Sequence, residues 1–469
     1  MATQTVSVTK TVSVYPKSLH PPTLLNLSNL DRQCPILMYL VFFYNPSHGN
    51  QNLSNGSLFH ILKMSLEDTL SVWYPAAGRL TLNPSDGKLN LLCNNGGAVL
   101  VEAITQVKIS ELGDLSQYND WYEKLVFKPV FNGNFSEMPL VVAQVTRFGC
   151  GGYAVGVGTS HSLFDGPSTF NFLCAWASKT NMKAHGDLEL HEPVHERGSL
   201  LVSYGHTQHR ITEFCNNPNT VTRVAAFDHL HQLIKQAATD QSLDSDWKLK
   251  GCKFSEIGCS NQENYVLRTF HVSGAMIENL KRKISGRNNG GFSSFEVVAA
   301  HLWKARTKAL RLRKERMVCL QFAVDTRNKM VPPLPKGFSG NAYVLASVTL
   351  TAGKLEEESH DAIIEKIKEA KKSVSNDYVS AYIKALEVPQ GTLPPLMELT
   401  MVSDWIRMPF HKVDFGHGEA TYASPLVPPL PQVAYFMQNP NEIRGIDVRI
   451  GLLPQHHHAF SQYFLTNLQ

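Results

Sequence analysis

Apolar residues along this chain switch between short unbroken runs and a spacing near 3.6, and the switching places strands and helices in alternation. Pro35 to Tyr44 is a continuous apolar run that predicts a buried strand. Leu58 to Trp73 carries its apolar residues at helical spacing, and short strands follow through Val101. Leu140 to Val145 and Tyr153 to Gly158 are Val-rich and bounded by Gly, as strands are. Ser168 to Ser178 then sets Phe170, Phe172, Leu173 and Trp176 on one helical pattern. The residues between, His161 to Gly166, therefore occupy a strand-to-helix junction.

From about Lys183 to Thr222 the composition turns polar, and helical spacing resumes only at Ala226, Leu230 and Ile234, which reads as an interdomain linker. Asp240 to Asn264 and Gly286 to Gly291 read as surface loops. Ser293 with Glu296 forms a capping box that opens a helix through about Leu312. Strands are expected at Val318 to Val324 and Ala342 to Leu350, then a long helix over roughly Glu357 to Leu386, then three more strands towards the end. No repeat of solenoid period is present. A chain of 469 residues exceeds one ordinary globular unit, so the expectation is two layered α/β domains. Their bounds are set at 1–190 and 223–469 with the linker at 191–222, and a segment near 375–405 is allowed to cross over to the first domain.

Composition narrows the function classes. Lys and Arg number 44 against 40 Asp and Glu, and they are interspersed, so no nucleic-acid footprint exists. The 8 cysteines are spread without a CxxC pair, which suggests neither a zinc site nor disulfide stapling and fits reduced thiols. The N-terminal residues lack an apolar signal core, no run reaches the length of a membrane span, and Asn467-Leu468-Gln469 is no peroxisomal address. Cytoplasm is the expected location. The glycosylation sequons at Asn52, Asn55 and Asn134 then read as polar turns.

Candidate chemistry centres on His161 and Asp165. A neutral imidazole, with an ordinary pKa of about 6.5, suits proton removal near neutral pH. Spacing alone leaves three readings open: a general base, a metal ligand paired at i, i+4, or a satisfied structural histidine. No further ligand cluster accompanies the pair, and His456-His457-His458 lies near the far terminus, so no metal is expected. Asp414-Phe415-Gly416 matches the kinase magnesium triplet, but no glycine-rich loop with a following lysine exists. A glycine turn capped by Asp414 is the plainer reading.

The ordered series of segments is more specific. LSNLD (Leu27 to Asp31), WYPAAGRL (Trp73 to Leu80), HSLFDG (His161 to Gly166), SSFEVVAAHLWKAR (Ser293 to Arg306), VDTRNK (Val324 to Lys329), GFSGNA (Gly337 to Ala342) and SDWIRMPF (Ser403 to Phe410) lead into Asp414-Phe415-Gly416-His417-Gly418. Over nearly its whole length the chain thus resembles the BAHD family of plant acyl-CoA-dependent acyltransferases, with His417 where most members carry Trp. The resemblance implies two chloramphenicol-acetyltransferase-like domains, each a mixed sheet flanked by helices, with a channel at their interface. It implies His161 as general base and Asp165 as a structural residue held by a salt bridge. Some members supply the partner Arg at the position of Ser294, which this chain lacks, so the partner is left open.

By the same resemblance Ser403 donates to the carbonyl oxygen, Trp405 walls the acceptor or acyl pocket, and Gly166, Asp414, Gly416 and Gly418 support the site. Ser293, Ser294 and Arg327 lie where members pass near the cofactor, and a helix N-terminus suits a phosphate. The implied partners are acyl-CoA as co-substrate and a small alcohol or amine. No permanently bound cofactor is implied, and the protein is expected to be a monomer. YPAAGRL, SHSLFDG, HLWKAR and GFSGNAYVLAS most resemble a member acting on brassinosteroid hormones, which implies a bulky, apolar hydroxylated acceptor such as a steroid. N-acylation of an amine or polyamine, and a noncatalytic member binding a ligand or protein, are the alternatives.

Overall fold

The structure, a computed structural model, describes residues 5–46, 55–130, 134–180, 191–201, 265–285, 291–386, 397–416, 418–426 and 433–466. The first half supplies β1 (Ser7–Val14), β2 (Thr23–Leu25), α1 (Asn29–Arg32), β3 (Leu37–Tyr44), α2 (Asn55–Val72), β4 (Arg79–Leu82), β5 (Leu89–Cys93), β6 (Ala98–Ile104), β7 (Val141–Arg147), β8 (Tyr153–Ser160) and α3 (Gly166–Thr180). The second half supplies β9 (Val266–Val272), α4 (Gly274–Ser285), α5 (Ser294–Leu310), β10 (Met317–Asp325), β11 (Tyr343–Thr351), α6 (Ala352–Glu357), α7 (His360–Lys372) and α8 (Asn376–Ala385). It closes with β12 (Leu399–Asp404), β13 (Tyr422–Pro425), β14 (Ala434–Gln438), β15 (Ile446–Leu452) and α9 (Pro454–Thr466).

These strands form two large sheets and one small one. The first runs β1-β6-β7-β8-β3-β13 and the second β11-β10-β12-β14-β15-β9, while β2-β5-β4 make a three-stranded flap. Both large sheets are mixed: β6 and β7 are parallel in the first, and β12 lies parallel to both β10 and β14 in the second.

Burial explains the pattern. Every residue of β8 is buried, and glycine at 156 is required because a Cβ there would lie 2.0 Å from the Leu125 carbonyl oxygen. Helices α2 and α3 cover the first sheet, and the buried Trp176 indole donates to the Leu62 carbonyl at 3.1 Å and to Ser65 Oγ at 3.0 Å. In the second unit α5 is buried along nearly its whole length, opened by the expected capping box of Ser293 and Glu296. The opposite face of the second sheet carries Leu399, Met401, Val433, Tyr435 and Met437, a separate apolar cluster.

Three expectations need correction. The single helix over 357–386 is two helices, α7 and α8, because Ser359 and Ser375 stand as N-caps that restart the chain after α6 ends at Glu357, Ser375 Oγ accepting the Tyr378 amide. The last part of the chain holds four strands among the described residues, not three. The additional one, β13, is the segment that crosses over: it pairs antiparallel with β3, Tyr422 opposite Phe43 and Pro425 opposite Leu40. The segment expected to cross, 375–405, keeps α8 in the second core and β12 in the second sheet.

Of the anticipated linker at 191–222, residues 202–222 lie outside the described residues. Residues 191–201 run along the seam, where Val194 bridges Phe338 and Arg197 is fully buried.

Arg449 ties the units together. Its guanidinium donates to the Ser116 carbonyl at 2.7 Å, the Pro425 carbonyl at 2.7 Å, Ser424 Oγ at 2.9 Å and Thr269 Oγ1 at 3.0 Å. Arg449→Met leaves buried acceptors without donors, each worth about 1–3 kcal/mol. Thermal unfolding should show a loss of at least about 2 kcal/mol with the circular dichroism spectrum of the folded protein unchanged.

Candidate active site

His161 follows directly on β8, and its position is set by main-chain bonds. Its amide donates to the Ile36 carbonyl at 2.8 Å, and the amides of Leu163 and Phe164 both donate to the Ser160 carbonyl at 3.0 Å. This tight turn sends Leu163 and Phe164 into the first core and leaves His161 half-buried at the strand end. Its ring meets Tyr343 edge-on, with centroids 5.9 Å apart.

Burial pushes the His161 pKa below its ordinary value, outweighing its own carbonyl, Asp165, Asn341 and Asp31, which pull it up. The ring is therefore neutral at neutral pH.

Asp165 is engaged elsewhere. Oδ1 accepts from the Ser168 amide at 3.0 Å and from Arg327 Nη2 at 2.9 Å, and Oδ2 accepts from the Ala342 amide at 3.0 Å. Burial alone would raise the pKa of this carboxyl, but the Arg327 guanidinium and the two amides hold it below the usual range. Its open partner is thus Arg327. Arg327, expected near the cofactor, sets Nη2 on Asp165 and on the Gly340 carbonyl, 3.1 Å away, and Nη1 3.3 Å from Asp325 Oδ2.

A second buried ion pair, absent from the sequence reading, stands beside the first. Asp31 and Arg197 side chains are both fully buried, with Nε and Oδ2 2.8 Å apart. Asp31 Oδ1 also accepts from the Asn341 amide at 3.0 Å and from Asn341 Nδ2 at 3.1 Å. Asn341 Nδ2 in turn donates to the His161 carbonyl at 2.6 Å. The signal lay in LSNLD and GFSGNA, which place Asp31 and Asn341 in apolar surroundings where a lone polar group needs a partner. Arg197 sits in the polar stretch read as linker and gave no such signal.

Ser403 and Trp405 come together on β12 and the loop after it. The Trp405 indole donates to Ser403 Oγ at 3.0 Å. Trp405 packs against Tyr435 and Phe410, and Phe410 meets Phe170 of α3 at 5.4 Å, which links this wall to the helix that follows His161. Gly166 leaves room for Met408, whose Cε would lie 2.9 Å from an added Cβ.

Asp414 closes a turn by accepting from the Gly416 amide at 2.7 Å and the Gly418 amide at 2.8 Å, with φ of 105° and 91° at the two glycines. Phe415 anchors the turn against Trp176, 4.8 Å between centroids, so these residues belong to the first core. His417 lies outside the described residues.

Ser293 Oγ accepts the Glu296 amide as a helix cap. Ser294 lines a cleft of about 330 Å³ with Ile277, Lys281, Ile406 and Arg444. Among the described residues no group of three or more His, Cys, Asp or Glu is placed to hold a metal ion, and no helix is long and apolar enough to cross a membrane. Cys34, Cys93, Cys150, Cys174 and Cys319 are free thiols.

A protein-family model described as the Transferase family matches residues 4–466. The chain belongs to that family, the BAHD acyltransferases. This BAHD acyltransferase is 51% identical over 483 residues to the Arabidopsis thaliana brassinosteroid-related acyltransferase 1, covering 99% of each chain. It is 29% identical over 457 residues to the Arabidopsis thaliana omega-hydroxypalmitate O-feruloyl transferase, covering 96% of this chain and 91% of that one. Its fold is similar to vinorine synthase, at 21% identity, 98% coverage of both chains and a TM-score of 0.72. It is also similar to Fusarium graminearum TRI101 complexed with coenzyme A and T-2 mycotoxin, at 12% identity, 93% and 96% coverage and a TM-score of 0.69. The expected fold of two mixed-sheet α/β units is thereby shown.

Arg327→Met leaves the Asp165 carboxylate buried without its countercharge, a loss of about 3–5 kcal/mol. Denaturant unfolding should show it, and Arg327→Met with Asp165→Asn together should cost less than the two single losses added. The depressed Asp165 pKa adds stability that is complete above about pH 4, the unfolded carboxyl value, and is lost as pH falls through the lower folded value. In Asp165→Asn that acid-dependent component should disappear.

Proposed function

We propose that this acyltransferase moves an acyl group from acyl-CoA to a hydroxyl of an apolar, steroid-like alcohol, with His161 as the general base. The observation that carries the reading is the state of His161: a ring held at a strand end by main-chain bonds, its pKa pushed below the ordinary value by burial so that it is neutral at neutral pH. Both substrates bind before chemistry. His161 takes the hydroxyl proton as the alcohol oxygen attacks the thioester carbonyl carbon, and negative charge collects on the carbonyl oxygen. Ser403 serves that oxygen. Its Oγ already accepts from Trp405, so its own proton is free to donate. Collapse of the tetrahedral intermediate breaks the carbon–sulfur bond, and the leaving thiolate takes the proton held by His161. No metal, permanently bound cofactor or covalent acyl-enzyme enters.

The cleft at the start of α5 suits the phosphates of CoA, since Lys281 and Arg444 supply cations beside Ser294. Leu399, Met401, Tyr435 and Met437, with Trp405 packed against them, offer thioether, aliphatic and aromatic surface. Such a face suits an alcohol on an apolar skeleton better than a cationic polyamine. The name of the brassinosteroid-related relative supports a steroid acceptor. The two units divide near 191–222, with β13 returned to the first. Every group the reaction uses lies on one chain, which supports a monomer, and the scattered free thiols support the cytoplasm.

Purified protein given acetyl-CoA or longer acyl-CoAs with a panel of hydroxysteroids should release CoA thiol and yield the ester by mass spectrometry. His161→Ala should lower turnover by about 10²–10⁴-fold, and equal release by wild type and variant would remove the base assignment. Ser403→Ala should lower kcat by about 10²-fold. Because burial lowers the His161 pKa, kcat/KM should rise with pH through a midpoint below about 6.5 and then level off.

A further inference from the structure

We infer that His271 is a positioning residue for acyl-CoA: it pins the loop from Asn439 to Gly445 so that Arg444 stands at the cleft beside Ser294. The inference rests on the reading of that cleft as the site of the CoA phosphates and deepens it. The loop joins β14 to β15, and Ile443, Arg444 and Gly445 line the cleft together with Lys281 of α4. Lys281 already pairs with Glu278 at 2.9 Å, whereas Arg444 is exposed and makes no ion pair among the described residues. Arg444 is therefore the cation left for an anion, provided the loop holds still.

His271, on β9, fastens that loop at its base. Its ring lies between two carboxylates: Nδ1 is 3.0 Å from Asp447 Oδ1 and Nε2 is 2.9 Å from Glu442 Oε2. A neutral imidazole has one N–H and would turn a lone pair on one of the two carboxylates; only the imidazolium donates to both. Burial draws the ring's pKa down, but the bonds to Asp447 and Glu442 outweigh it and hold it above its ordinary value. Asp447 is fixed in turn, its Oδ2 accepting from the Tyr422 hydroxyl at 2.8 Å and its Oδ1 from Asn439 Nδ2 at 2.9 Å. Behind Asp447 stand Arg449 of the same strand, Tyr422 of β13 and Asp114, while Asn439 Nδ2, 3.3 Å from Nδ1, carries no charge.

Glu442 carries the constraint to Arg444. Its Oε1 accepts the Gly274 amide at 2.6 Å at the start of α4, and its main-chain carbonyl accepts the Gly445 amide at 2.9 Å. The fit is close on both sides. An added Cβ on Gly274 would lie 2.8 Å from Arg444 Cβ, and one on Gly445 would lie 2.8 Å from His271 Cε1. Arg444 is thus seated against the first residue of α4 by the same loop that Glu442 and His271 fasten, and His271 acts through that loop without touching the substrate.

The test uses the full chain with a hydroxysteroid acceptor and two donors: acetyl-CoA, and S-acetylpantetheine, which has the thioester arm without phosphates. His271→Gln should raise KM for acetyl-CoA about tenfold, the worth of one hydrogen bond to a charged group, and leave kcat nearly unchanged. With S-acetylpantetheine, wild type and His271→Gln should have the same KM. In wild type, KM for acetyl-CoA should rise as pH passes upward through the His271 value, above about 6.5, because the second N–H is then lost. In His271→Gln that limb should be flat, and in an Arg444→Ala background His271→Gln should add nothing.

A folded His271→Gln with wild-type KM and pH profile overturns the inference, as does an equal rise in KM for S-acetylpantetheine, which marks a general loosening of the fold. If His271→Gln does not fold, the wild-type profile decides: KM for acetyl-CoA that stays flat above about pH 6.5 overturns the inference, and one that rises while KM for S-acetylpantetheine stays flat supports it. Unchanged KM for acetyl-CoA in both Lys281→Ala and Arg444→Ala is a separate outcome, which overturns the reading of the cleft itself.

Discussion

A carboxylate removed from water must be met by countercharge and hydrogen bonds, at a cost of several kcal/mol if it is not, and this chain removes two such groups at one seam. Asp31 and Asp165 both come from the first half, and both close on the short run Ser339 to Ala342 from the second. Asp31 takes the Asn341 amide, Asp165 takes the Ala342 amide, and Arg197 and Arg327 add cations that also grip the carbonyls of Ser339 and Gly340. Ser168 joins the same run, its Oγ donating to the Gly340 carbonyl and accepting the Gly340 amide. Charge neutralisation and the joining of the two units are therefore one event. His161 sits between the two ion pairs, so its geometry depends on both.

This arrangement separates tasks that spacing along the chain would merge. Asp165 lies one helical turn after His161 and would make a plausible relay partner by sequence, yet its oxygens are taken by Arg327, Ser168 and Ala342. What it supplies is the N-terminus of α3 and a fixed turn beneath the imidazole. The basicity of the ring is governed by burial. Its main-chain carbonyl is held by a carboxamide contributed from 180 residues further along the chain.

The legible parts of the sequence were those decided locally. The strands through Tyr44, Val145 and Gly158, the helix after Gly166 and the capping box at Ser293 each follow from a few neighbours and were placed within a residue or two. Breaks at Ser359 and Ser375 were missed because the apolar spacing of α7 and α8 runs on past them, and a serine cap is hard to tell from a surface serine. Long-range pairings were not legible at all. Nothing in VDTRNK points from Arg327 to Asp165, and Arg197 looked like linker because its neighbours are polar. The family resemblance supplied roles for His161 and Ser403 that the residues alone left open.

β13 has only four residues, yet it forms an edge of the first sheet beside β3, whose sequence is LMYLVFFY. Those eight residues leave the ribosome nearly four hundred residues before their β13 partner. Until then β3 has an open hydrogen-bonding edge on one of the most apolar stretches of the protein, the kind of edge that recruits other chains. The first unit is thus finished only after most of the second has been made, and the nascent protein must keep that edge covered until β13 arrives.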